Sequence, residues 1–155
     1  MSRPPAETPD PAELALKQDS ALLLAGAISL EEFRRRMMVL VAQRLDCSCI
    51  VIWRVNDGGQ GSEWRCVGRW QAGLGFDSGG EVRADIGEFT APSDFEALLS
   101  VNGRRLGVLR CERADRAQHW QAREIATLRR IAAAVSLVIA RLETMPATLD
   151  QTVGE

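Results

Sequence analysis

From Pro11 onward, apolar positions recur at helical spacing. Asp10 offers a capping oxygen and Pro11 needs no amide partner, so a helix is predicted over 11–25, carrying Leu14 and Leu22 to Leu24. Gly26 ends it. Ser29 and Glu32 form a capping-box pattern that opens a second helix. Its apolar face is Leu30, Phe33, Met37, Leu40, Val41 and Leu45, which turns Arg34 to Arg36 toward the flank and the solvent. After Asp46 the period shortens to that of a strand. Cys49, Val51, Trp53 and Val55 share one face, and Ile50 and Ile52 share the other. A strand apolar on both faces is covered on both faces. The run Asn56 to Gly61 is turn chemistry, and a partner strand follows over about 63–70.

Residues 71–94 are glycine-rich and hold at most a short edge strand over 81–86. A second hairpin is clearer: strands over 95–101 and 105–113 joined by Asn102-Gly103. A long helix is predicted from Gln121 to Leu142 or Glu143, before Pro146. The order is helix, helix, hairpin, irregular stretch, hairpin, helix. It predicts an α+β domain: a central antiparallel sheet with the N- and C-terminal helices packed on one face. The domain is expected over 11–143, with flexible tails over 1–10 and 144–155.

Composition narrows the class. The 155 residues suffice for one domain with a real core. A net charge of −2 gives no broad attraction for nucleic acid or anionic membrane. The longest apolar stretch, Ile131 to Ala140, is broken by Ser136 and is far shorter than the roughly 20 residues of a span. With no apolar signal core at the N-terminus, a cytoplasmic location is expected. In that compartment Cys47, Cys49, Cys66 and Cys111 are expected as thiols.

Three segments together resemble the GAF family of bacterial sensory modules: "RLDCSCIVIWRV", "EWRCVGRW", and the run from Val101 to Ala140. In that run Gly103, Leu106, Gly107, Val108, Leu109, Trp120 and Glu124 occupy the family's turn, Leu-x-Gly-Val-Leu and helix-opening positions. The resemblance covers about 28–143. It implies a PAS/GAF-like fold and a sensory role in signal transduction. Gly107 lets a neighbouring backbone approach its strand, and Trp120 is placed to staple the long helix to the sheet. The family usually has one or two helices between the second strand and the last hairpin. Here that middle region is shortened, which implies a pocket that is shallow, open or absent.

The candidate chemistry is modest. Trp53, Trp64 and Trp70 are candidates to line a flat-ligand pocket, with core packing their commoner role. Trp53 and Trp64 are expected to face each other across the first hairpin. Arg54, Arg65, Arg69 and Arg110 lie in or near strands, and Arg110 is the chosen candidate to hold a phosphate or carboxylate. Cys66 and Cys111 are redox candidates, but zinc-type Cys spacing is absent and no metal site is expected. His119 lacks a nucleophile partner. The cysteine of methionine-sulfoxide-reducing relatives, the cysteine–histidine pair of pigment binders and the family's Asn-Lys-Phe-Asp-Glu signature are missing. No catalytic residue or cofactor is named.

In the last helix Ile125, Leu128, Ala132, Val135, Ile139 and Leu142 repeat at three and four, a heptad seam. Ile131 and Val138 form a second apolar line beside it. This pattern predicts a homodimer in which the first helix completes a four-helix bundle. The leading expectation is a dimeric sensor that binds a small molecule on the sheet face away from the terminal helices and signals to a partner protein. The alternative is a ligand-free dimerisation or interaction module. A thiol redox sensor or reductase is the third reading.

Overall fold

The computed structural model describes residues 10–56, 63–87, 94–115 and 117–144. The elements in chain order are α1 (Pro11–Leu24), α2 (Leu30–Leu45), β1 (Cys49–Asn56), β2 (Glu63–Gln71), β3 (Gly75–Asp77), β4 (Val82–Arg83), β5 (Asp94–Val101), β6 (Arg104–Glu112) and α3 (Ala122–Thr144). The predicted caps are in place. Asp10 accepts from the Ala12 amide at 2.8 Å, and Ser29 from the Glu32 amide at 3.0 Å. Asp46 closes α2 in the left-handed region at φ 54°. The tails expected over 1–10 and 144–155 lie outside the described residues, apart from Asp10 and Thr144.

The strands form one antiparallel sheet of order β3-β2-β1-β6-β5, with β4 also on β2. Asn102 and Gly103, at φ 52° and 78°, make the tight turn between β5 and β6. Such a turn matches the twist of the strands it joins. β1 is central. Ile50 and Ile52 point to the helices, while Val51, Trp53 and Val55 belong to a second cluster on the outer face. Gly107 faces β1 closely: a Cβ there would stand 2.0 Å from the Trp53 carbonyl oxygen.

All three helices lie on one side. α2 packs on β1 and β2, α3 on β5 and β6, and α1 on α2 and α3. Ion pairs fasten α1: Arg36 to Asp19 at 3.1 Å, Arg44 to Asp10 at 2.7 Å and Arg130 to Glu13 at 2.5 Å. Phe33, Met37, Met38, Val41 and Leu45 of α2 are buried against Ile50, Ile52 and Leu109. Met38 was outside the predicted face, and it reaches the sheet because Gly68 of β2 leaves room for its methyl.

The heptad line of α3 is consumed inside the chain. Leu128, Ala132, Val135 and Ile139 are buried in the core, and Ile125 and Leu142 are half-buried. The second line, Ile131 and Val138, is also buried, with Ile131 set against Leu16, Met37 and Val41. Within a single chain Leu128, Ala132, Val135, Ile139 and the second line are thus already covered, while Ile125 and Leu142 of the predicted seam stay partly exposed. Helical spacing reports burial, and the sheet and α1 supply it from within the chain.

The irregular middle holds more structure than the sequence signalled. β3 extends the sheet through Phe76, which pairs with Trp70. The expected edge strand over 81–86 is cut to Val82–Arg83. The turn expected over 56–61 falls, from residue 57 on, outside the described residues, as do residues 88–93. Among the described residues no helix is long and apolar enough to cross a membrane.

Candidate functional site

The outer face of the sheet carries Trp53, Trp64, Cys66 and Val108, all buried, with Val51, Val55 and Ile86 packed around them. What covers them is the segment 79–87. It is laced to β2 by backbone bonds: Cys66 donates to the Glu81 carbonyl at 2.9 Å, and Gly80 donates to the Cys66 carbonyl at 2.8 Å. Gly79, at φ 66°, passes so close that a Cβ would stand 2.5 Å from the Cys66 sulfur. Arg69 of β2 pairs with Glu81 at 2.7 Å. Arg83 lies over the Trp53 ring at 5.6 Å, and Arg105 over Trp64 at 5.1 Å.

Arg110 of β6 anchors the far end of this strap. Its side chain is only 8% exposed. It pairs with Glu96 of β5 at 2.6 Å and donates to the carbonyls of Ile86, at 2.7 Å, and Gly87. A guanidinium presents donors in several directions at once, so one side chain joins a strand neighbour to a loop. The sequence singled out Arg110 as an anion holder; in the structure it engages, among others, a carboxylate and two carbonyls of the chain itself.

The other sequence candidates are distributed unevenly. Trp53 and Trp64 share the outer face, but the register pairs Trp53 with Cys66 and Val55 with Trp64. The two rings are therefore diagonal neighbours rather than directly opposed, and the extra residue of β2 at Val67 is what puts Trp64 opposite Val55, on the face of Trp53. Trp70 is on the reverse face, packed against the helix-side core. The bulge at Val67 shifts the alternation, so Trp70 is not part of the same site. Signals for the strap residues Gly79, Glu81, Arg83 and Ile86 are local glycines and charges, which read equally as a plain loop.

The two redox candidates are also separated. Cys66 is buried on the outer face and Cys111 on the helix side. A joint reaction between them would have to cross the sheet. Burial pushes the Cys66 thiol up from its ordinary value. Cys111 is pushed well up by its hydrogen bond with Cys47 and by burial. Both shifts disfavour the thiolate that thiol chemistry requires. Among the described residues no group of three or more His, Cys, Asp or Glu side chains could hold a metal ion.

Two further surfaces lie on the helix side. A cleft of about 540 Å³ at the open end of the sheet is lined by Arg54, Arg65, Arg104, Glu63 and Glu143, among others. A shallow apolar groove of about 420 Å³ runs between α1 and α3, past Leu16, Ile131, Ala134, Leu137 and Val138. Leu137 is 62% exposed and Leu14 47%.

No family model matches the chain, and no curated protein matches it in sequence. Solved structures do match in fold. The GAF domain of an Acinetobacter phosphoenolpyruvate-protein phosphotransferase superposes with a TM-score of 0.64 at 15% identity, covering 89% of this chain and 98% of that one. The corresponding GAF domain from Coxiella burnetii gives 0.58 at 15% identity, over 86% and 97%. The PixJ GAF domain of Thermosynechococcus elongatus, in its blue-light absorbing form, gives 0.57 at 15% identity, over 95% and 96%. The fold is that of a GAF domain.

Proposed function

We propose that the chain is a sensory module of bacterial signal transduction, cytoplasmic, that takes a small molecule on the outer face of its sheet. The observation that carries this reading is Arg110, a buried cation on a core strand that pairs with Glu96 and donates to the carbonyls of Ile86 and Gly87. A ligand carboxylate or phosphate that competes for this guanidinium would loosen the strap over Trp53 and Trp64. The same β5–β6 hairpin packs on α3 from behind. Movement of β6 is thereby coupled to a terminal helix, which is the requirement for a signal to leave the domain. The likeness to GAF domains of signalling proteins supports the reading at the level of fold.

The test is a native mass spectrum of gently purified protein, followed by a tryptophan-fluorescence screen of small anions. Expected is a bound mass, or a saturable fluorescence change, that disappears in Arg110→Gln. A bare protein unresponsive to the screen, or binding that survives Arg110→Gln, would overturn it.

A second reading has its own observation, the apolar groove between α1 and α3. It supports an interaction module that meets a second copy through α1 and the Leu137 side of α3. Light scattering of the wild type and Leu137→Glu decides it. A dimer that Leu137→Glu splits supports this reading, and a monomeric wild type removes it.

A further inference from the structure

At the end of the sheet where α3 finishes, Arg54 and Arg104 hold one carboxylate between them. Arg54 donates to one oxygen of Glu143 and Arg104 to the other. Arg54 is fixed in place by a second bond, to the Leu106 carbonyl at 3.0 Å. Arg65 opens into the same cleft, and among the described residues its ion-pair partner is a loose one, Glu63 at 3.9 Å. Arg105 also lines it, but its guanidinium turns to Trp64 on the outer face. Asn56 adds an amide. The chain as a whole is acidic, with a net charge of −2, so this concentration of arginine is local. Its positive excess reaches α2: burial lowers the pKa of Arg34, and the neighbouring charge of Arg54 lowers it further.

We infer that this cleft is a phosphoryl-binding site, distinct from the outer face, in which Glu143 is the occupant that a phosphoryl group displaces. The existing geometry is already an oxyanion clamp, with two guanidinia on separate oxygens of one group. A carboxylate has two oxygens and satisfies two arginines. A phosphoryl group has three and can also engage Arg65, which Glu143 leaves loosely paired. The cleft, at about 540 Å³, has room for a small organic group beyond the phosphoryl. Displacement has a structural consequence, since Glu143 lies in the last turn of α3. Releasing it frees the end of that helix from the sheet, so occupancy of the cleft and order of the α3 terminus are linked.

The experiment titrates the full chain with inorganic phosphate and with phenyl phosphate, against chloride at matched ionic strength. Calorimetry reads affinity, and hydrogen exchange reads the last turn of α3. Expected is saturable phosphate binding with faster exchange at residues 140–144. Glu143→Gln, which removes the internal competitor, should bind about tenfold more tightly. Arg104→Gln should bind about tenfold more weakly. Arg104 is the informative arginine because its side chain is 64% exposed and its loss does not threaten folding, whereas Arg54 also supports a backbone carbonyl. Tighter binding of phenyl phosphate than of phosphate assigns the site to an organic phosphate; equal binding assigns it to the free ion. The inference is overturned if neither phosphate binds beyond the chloride control, if Arg104→Gln binds as the wild type does, or if Glu143→Gln fails to tighten binding.

Discussion

The guanidinium carbon of Arg113 stands 3.9 Å from the centroid of the Trp120 ring. Arg113 is buried, and beneath that ring it donates to the Leu45 carbonyl at 3.0 Å and 3.2 Å, to the His119 carbonyl at 3.3 Å, and to Glu124. Trp120 in turn packs on Phe95 of β5 at 5.6 Å. One cation thus joins the end of α2, the loop after β6 and the first turn of α3. Its removal leaves buried carbonyls unpaired as well as a hole under the indole. Arg113→Met should lower unfolding free energy by about 3 kcal/mol. Urea denaturation checks this, and a loss under about 1 kcal/mol would show that the stack and bonds add little.

Glu124 gives the same junction a pH dependence. Burial alone would raise its pKa, but the bonds from Arg113 and the Gln121 amide outweigh that and hold it below the ordinary 4.5. A carboxylate depressed by folding adds stability that is fully present above its unfolded value and is lost as pH falls through its folded value. Glu143 is depressed likewise, with burial opposing and Arg54 and Arg104 prevailing. Wild-type stability should therefore fall as pH drops below about 4.5. Glu124→Gln should be less stable at pH 7 and less sensitive to acid. Melting curves from pH 3 to 7 test this; parallel profiles for the two proteins would contradict it.

The strap makes a prediction about Cys66. Its thiol is 1% exposed beneath Gly79. Arg110→Gln detaches the strap at Ile86 and Gly87, and alkylation of Cys66 should accelerate by about tenfold or more. Cys111, on the other side of the sheet, should stay slow in both proteins. Mass spectrometry after timed alkylation separates the two sites. Equal acceleration at both would indicate global unfolding instead of a local opening.

Gly107 tests the centre of the sheet. An alanine Cβ would stand 2.0 Å from the Trp53 carbonyl and 3.1 Å from the Arg54 Cα, both backbone atoms that cannot rotate away. Gly107→Ala should cost about 3 kcal/mol or more by forcing β1 and β6 apart. Gly103→Ala, with open space but a positive φ of 78°, should cost only about 1 kcal/mol. Comparable losses in chemical denaturation would refute the close-approach argument.

Much of the architecture was legible in the chain because it depends on local rules. Capping by Asp10 and Ser29, the alternation of Cys49 to Val55 and the Asn102-Gly103 turn each act within a few residues. Together they determined three helices, two hairpins and helices on one side. Tertiary structure decided what the pattern left open. The bulge at Val67 set the faces of β2, so Trp70 parted from Trp64. The heptad line of α3 recorded that Leu128 and Val135 are buried, but apolar spacing cannot say whether a sheet or a second chain buries them. Arg110 was visible as an arginine on a strand; that it reaches Glu96, Ile86 and Gly87 depends on contacts across 14 to 24 residues. The fork of Arg54 and Arg104 on Glu143 spans 89 and 39 residues. Charge attracts over distance but carries no address in the sequence, and only the folded chain brings those groups to one place.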